Sequence, residues 1–308
     1  MFQGSLQGRA VAVKRLLNDF VTLAAREVSI LQESDDHPNV IRYYYQESHG
    51  NFLYIALELC PASLADIVEN PEKEEWRDIA INFDPKKALR QVASGMRHLH
   101  ALKLVHRDIK PQNILVSLAR SGGAGVGGGD GKREGGANYR MLISDFGLCK
   151  KLDVDQTSFL PTAQGAMGAG TVGWRAPEIL RGDVKLDEMN RDDASSRGSS
   201  IATINGSSAS PPTPQTSSAA PTRLTKNVDI FALGCLFYYT ITNGGHPYGD
   251  RFEREGNIMR DTKDLAGLDR FGEEGTEAKD LIGKMLSYEP SGRYVTSLRL
   301  LHTTVIHL

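Results

Sequence analysis

Along this chain the apolar residues change their spacing, and the changes divide it. From Ala10 to Lys14 they alternate weakly and are rich in valine, the pattern of a strand. Phe20 to Gln32 has helical spacing, with Phe20, Leu23, Ala24, Val28 and Leu31 on one side. Two more strands are expected at Val40 to Tyr45 and Phe52 to Leu59, joined by the polar turn Glu47-Ser48-His49-Gly50-Asn51. Residues 1–60 thus predict a small antiparallel sheet with a single helix packed on it. Beyond residue 61 the period turns helical. Ser63 can cap Leu64 to Val68, and Pro85 to His100 carries Ala88, Leu89, Val92, Met96 and Leu99 on one face. Apolar helices follow at residues 227–242 and from Thr276 to Leu286. The expected class is α+β, with a small unit at 1–60 and a larger, mainly helical unit at 61–300.

Two stretches break this pattern. Ser117 to Asn138 is glycine-rich, and Asp183 to Thr225 is dominated by Ser, Thr, Ala and Pro, including Ser210-Pro211-Pro212-Thr213-Pro214. Neither can bury enough apolar surface to offset its ordering entropy, so 117–138 and 183–225 are expected to be flexible insertions and not domains. A net charge of −2 on 308 residues gives no general attraction to nucleic acid or to an anionic membrane. Cys60, Cys149 and Cys235 lie far apart without C-x-x-C spacing, which argues against a disulfide framework or a zinc site and fits a reducing compartment. Cys60 and Cys235 have apolar neighbours and read as buried thiols. No apolar run approaches the ~18 residues of a membrane span, and Met1 opens no signal peptide.

The chemistry concentrates in His106-Arg107-Asp108-Ile109-Lys110-Pro111-Gln112-Asn113. This segment resembles a protein-kinase catalytic loop, H-R-D-x-K-x-x-N. Val11-Ala12-Val13-Lys14, Asp145-Phe146-Gly147 after the strand-like Met141-Leu142-Ile143, and Ala176-Pro177-Glu178 follow the same family's order. The resemblance implies a two-lobed kinase fold with its hinge near 58–61, and ATP and Mg2+ as cofactors. It makes Asp108 the group that accepts the substrate hydroxyl proton and Lys110 the group on the transferring phosphate. Asn113 and Asp145 become the metal ligands, and Lys14 the contact to the α- and β-phosphates. Glu27 is expected to pair with Lys14, with Glu33 as the alternative. Leu31, His106 and Phe146 match the apolar stack that links the lobes. Backbone groups of Glu58 and Cys60 would meet adenine behind the gatekeeper Leu57, with Ala12 and Leu115 sandwiching the ring. Lys110 and Thr171 point to the Ser/Thr type. Arg107 would bind an activation-segment phosphate on Ser158, Thr157 or Thr162. Asp229 would brace the catalytic loop, and Glu178 and Arg293 would form a buried ion pair.

Finer features narrow the resemblance. Val11-Ala12-Val13-Lys14-Arg15-Leu16-Leu17, His37-Pro38-Asn39-Val40-Ile41-Arg42-Tyr43-Tyr44, Phe52 through Cys60, and Ile143-Ser144-Asp145-Phe146-Gly147-Leu148-Cys149-Lys150 are similar to the inositol-requiring kinase/endoribonuclease family. These are unfolded-protein-response sensors of the endoplasmic reticulum, and the Ser/Pro-rich insertion is typical of fungal members. The resemblance implies the cytosolic part of a membrane-attached protein that forms homodimers or oligomers and phosphorylates itself in trans. The chain begins after the position of the G-x-G-x-x-G loop, with only Gly4 and Gly8 nearby, and Leu300 to Leu308 replaces the last kinase helix. No ribonuclease segment follows, so neither RNA cleavage nor direct membrane contact is expected of it. Two functions therefore stand side by side. The full catalytic set favours an active Ser/Thr kinase; the absent glycine loop favours an inactive fragment or a nucleotide-gated dimerisation module.

Overall fold

The valine-rich run forms the second strand of a four-stranded antiparallel sheet. In this computed structural model, residues 1–17, 21–34, 36–118, 139–152, 158–159, 170–181 and 224–293 are described. β1 (Phe2–Leu6) turns through Gln7 and Gly8 into β2 (Arg9–Leu17). Both turn residues have positive φ, 49° and 79°, the requirement of a tight hairpin whose twist matches its strands. α1 (Val21–Ser34) follows, then β3 (Tyr43–His49) and β4 (Phe52–Glu58), giving the sheet order β1-β2-β4-β3. The third strand thus starts later than Val40. Val40 and Ile41 are buried and bind elsewhere: Ile41 N donates to Ile143 O (2.9 Å) and Ile143 N to Asn39 O (3.0 Å). An apolar pair that suits a strand has been used to stitch the first sheet to the second.

β5 (Ala62–Ser63) begins the larger lobe. Ser63 then caps α2 (Leu64–Glu69) in a reciprocal box: its Oγ accepts from Asp66 N at 3.2 Å, and its own N–H donates to Asp66 Oδ2 at 2.8 Å. α3 (Arg77–Ile81) precedes α4 (Pro85–Ala101), which opens on Asp84 as cap and proline at its first position. After β6 (Leu104–Val105) come β7 (Ile114–Leu118) and β8 (Tyr139–Ile143), which build the sheet β5-β7-β8. β9 (Lys150–Lys151) pairs with β6. β10 (Ser158–Phe159) pairs with β11 (Leu224–Thr225) across the chain, with α5 (Pro177–Leu180) between them in sequence. α6 (Asn227–Ile241), α7 (Arg254–Met259) and α8 (Gly272–Met285) complete the lobe. α6 is buried from Val228 to Thr240, so the lobe is built around it.

Two expected boundaries move. Ser117 and Leu118 belong to β7, and Leu224 and Thr225 to β11, so strand structure enters both expected insertions at their edges. Residues 119–138 and 182–223 lie outside the described residues. Cys60 is half-buried, where a buried thiol was expected, and Cys149 is buried.

Candidate active site

The catalytic loop leaves β6 in an unusual conformation. Arg107 has φ 68°, a left-handed backbone that a long side chain seldom adopts. Asp229, in the first turn of α6, holds it there. Its Oδ1 accepts from Arg107 N at 2.8 Å, and its Oδ2 from His106 N at 2.9 Å and lies 2.9 Å from His100 Nε2. Burial alone would raise the Asp229 carboxyl; the His100 hydrogen bond and charge, with the loop amides, outweigh it and hold the group below the ordinary carboxylate value. His100 was not anticipated from the sequence. It sits on the buried face of α4, one residue beyond Leu99, and a histidine on an apolar face was the available signal.

Downstream, three side chains converge. Thr171 Oγ1 donates to Asp108 Oδ1 at 2.7 Å, Lys110 Nζ donates to Thr171 Oγ1 at 2.6 Å, and Lys110 Nζ lies 2.9 Å from Asp108 Oδ2. Asn113 Nδ2 donates to Asp108 O at 2.8 Å and to Asp108 Oδ2 at 2.9 Å. The amide nitrogen is thereby occupied, and the amide oxygen is the end available to a cation. Asn113 O in turn accepts from Ser144 N (2.9 Å), which ties this loop to the segment that leaves β8 and carries Asp145.

From the other lobe, Lys14 Nζ reaches Glu27 Oε1 at 2.5 Å and Asp145 Oδ1 at 3.0 Å. Glu33 instead pairs with Lys151 at 2.6 Å, so Glu27 is the partner of Lys14. Burial by itself would lower the Lys14 ammonium, but Glu27 and Asp145 outweigh it and raise it. For Asp145 burial works upward and Lys14 overrides it, so the carboxyl is held below its ordinary value and stays ionised. Asp145 also has a left-handed backbone, φ 63°. Phe146 beside it is buried with Leu31 in one core cluster and meets His106 edge-on, ring centroids 5.2 Å apart.

Ala12 lies opposite Leu57 in the β2–β4 register, and Leu115 lies on β7, packed against the core. The Glu58 carboxylate accepts from Arg140 Nη2 at 2.7 Å and from Ser117 Oγ. Neither donor was foreseen: Ser117 stands at the border of the glycine-rich run, and Arg140 just beyond it. Arg107 Nε donates to Leu148 O at 2.5 Å. Of the candidate acceptors of an activating phosphate, Thr157 and Thr162 lie outside the described residues, and for Ser158 only the main chain, opposite Thr225, is described. Glu178 and Arg293 meet in a two-pronged ion pair, Nη1–Oε1 2.7 Å and Nη2–Oε2 2.9 Å, each residue 1 % exposed.

Among the described residues no group of three or more His, Cys, Asp or Glu could hold a metal unaided. Asn113 and Asp145 offer oxygens alone, which fits a hard divalent cation that completes its shell with phosphate oxygens and water.

A lysine tied to a helix glutamate, an Asp–Lys–Thr cluster and an Asn/Asp oxygen pair across two lobes define a protein kinase. The sequence pattern of the protein kinase domain family matches residues 4–206. The chain is 46% identical over 295 residues to the Aspergillus fumigatus serine/threonine-protein kinase/endoribonuclease ireA, covering 95% of this chain and 23% of that protein. It is 41% identical over 306 residues to the Schizosaccharomyces pombe sensor for unfolded proteins in the ER, ire1 (98% and 25%). Against the human serine/threonine-protein kinase/endoribonuclease IRE2 the identity is 40% over 293 residues (95% and 25%). The chain thus spans about a quarter of the length of these curated relatives. It belongs to the protein kinase family, in its serine/threonine-protein kinase/endoribonuclease branch.

Proposed function

We propose that this chain transfers the γ-phosphate of Mg·ATP to serine or threonine hydroxyls, foremost those of a second copy of itself, in unfolded-protein-response signalling. The observation that carries the reading is the Asp108–Thr171–Lys110 cluster facing the Lys14–Glu27–Asp145 bridge. Catalysis of phosphoryl transfer is chiefly positioning and electrostatics. Asp108, steered by the Thr171 hydroxyl and the Asn113 amide, orients the incoming hydroxyl and accepts its proton. Lys110 sits beside that carboxylate and stabilises charge on the transferring group. Lys14, fixed by Glu27, aligns the α- and β-phosphates. Asn113 and Asp145 would hold the magnesium ion, which when bound neutralises charge on the phosphates. Ala12, Leu57 and Leu115 would enclose adenine, with the hinge backbone at Glu58 and Cys60 reading its edge.

The sensor named for the fission-yeast relative suggests that this chain works as the cytosolic part of an endoplasmic-reticulum protein. Among the described residues no helix is long and apolar enough to cross a membrane. Self-phosphorylation in trans implies a homodimer or larger assembly. The test is Mg·ATP-dependent autophosphorylation, mapped by mass spectrometry beside an Asp145→Asn control. Phosphate on Thr157, Ser158 or Thr162 that vanishes in the control is the expected result. A folded protein that binds ATP and transfers nothing would overturn it in favour of a nucleotide-gated module.

A further inference from the structure

Within the hinge, three residues, Leu59 to Pro61, link β4 to β5, and both ends of this link are fastened to the same strand. At its far end Ala62 and Ser63 pair with Val116 and Leu115 of β7. At its near end the Glu58 carboxylate turns onto that strand and accepts the Ser117 hydroxyl. Arg140, directly opposite Ser117 in the β7–β8 ladder, donates Nη2 to the same Glu58 oxygen at 2.7 Å and Nη1 to Pro38 O at 3.2 Å. Glu58 N meanwhile donates to Arg42 O at 2.9 Å, so the residue is held through main chain and side chain together. Ser117 and Leu115 lie two apart on β7 and therefore share a face. One strand thus carries the expected floor of the adenine site and the anchor of the hinge that would read the adenine edge.

We infer that Ser117 and Arg140 are positioning residues for purine recognition. Their role is indirect: they fix the Glu58 side chain, and with it the spacing between the hinge main chain and the Leu115 floor. The inference rests on the kinase reading above. Neutral loss of one donor leaves a carboxylate that is 14 % exposed with a single partner, while Arg140 itself is 36 % exposed and partly screened by water. Rotation of Glu58 to find a replacement partner would move the carbonyl and the amides of the hinge.

Calorimetric titration with ATP and with adenosine, together with kcat and KM, tests this on the wild type, Arg140→Met, Arg140→Lys and Ser117→Ala. Arg140→Met is expected to weaken ATP and adenosine alike by about three- to tenfold, as loss of a half-screened charged hydrogen bond implies. kcat at saturating ATP should hold, and Arg140→Lys should recover most of the affinity. An equal loss for a nucleoside without phosphates locates the defect at the base rather than at the phosphates, and an unchanged melting temperature and binding stoichiometry separate it from a general loss of stability. Unchanged affinity in both Arg140→Met and Ser117→Ala overturns the inference and leaves the kinase reading intact. If Arg140→Met does not fold, Ser117→Ala alone decides. A wild type that binds neither ATP nor adenosine removes the kinase reading, and this inference with it.

Discussion

Arg293 is a buried and fully hydrogen-bonded charge, and replacing it with methionine has a calculable cost. Its five N–H groups all find acceptors: Nε on Ser287 O (2.6 Å), Nη1 on Glu178 Oε1 (2.7 Å) and Asn227 O (3.2 Å), Nη2 on Glu178 Oε2 and Tyr288 O (both 2.9 Å). Its guanidinium also lies 5.0 Å from the centre of the Phe231 ring. Arg293→Met keeps roughly the apolar stem but leaves the Glu178 carboxylate, 1 % exposed, without a counter-charge. Breaking a buried pair from one side costs about 3–5 kcal/mol, a large share of a typical total of about 5–15 kcal/mol. At roughly 2–4 °C per kcal/mol for a domain of this size, the melting temperature should fall by about 10 °C. Urea unfolding followed by fluorescence reads this directly, since Trp76 and Trp174 are both buried in the native state. The double variant Glu178→Leu/Arg293→Met removes both charges, and should recover at least about 2 kcal/mol of the loss because no orphaned carboxylate remains. A single variant that costs under about 1 kcal/mol, or a double variant worse than the single, would refute the argument from uncompensated charge.

Two further outcomes follow from burial. His246 is 8 % exposed, and burial with the nearby Arg254 lowers it from 6.5 to about 3. The unfolded chain therefore takes up a proton below pH 6.5 that the folded chain refuses. Stability should be level above that pH and fall by about 1.4 kcal/mol per unit beneath it; a His246→Phe variant followed by urea unfolding at pH 7 and pH 5 should lose that slope, and parallel curves would contradict it. Burial, then the Glu58 carboxylate, push the Cys60 thiol up to about 12. Iodoacetamide at pH 8 should modify it roughly a thousandfold more slowly than an ordinary cysteine, as peptide mass spectrometry of folded and urea-unfolded protein would reveal.

How far the chain could be read from its residues depended on whether an element owed its shape to itself or to a partner. The long helices announced themselves: α4 ends at Ala101 and α6 at Ile241, each within a residue of where the apolar period stops. β1 did not, because Phe2–Leu6 carries no alternation and is a strand only through its ladder to β2. Gly4 has a reason that is invisible in sequence, for a Cβ there would stand 2.8 Å from Val13 Cγ2. α3 and α7 run for five and six residues, too short to display a period. In the site, spacing alone could never have joined Lys14 to Asp145 across 131 positions; family resemblance did that. It was silent on His100, Ser117 and Arg140, which act on neighbours and belong to no motif quoted above.

The brace on the catalytic loop also sets a timetable for making the protein. His106 and Arg107 are held by Asp229, 123 and 122 residues later in the chain. At roughly 5–20 residues per second, a ribosome that has finished the catalytic loop works for about 6–24 s before it adds the aspartate that shapes it. Throughout that interval the left-handed backbone at Arg107 has no carboxylate to accept its amide. A nascent chain therefore carries the letters of the active site long before it can carry the activity, and phosphoryl transfer begins only once the heart of the larger lobe has been translated.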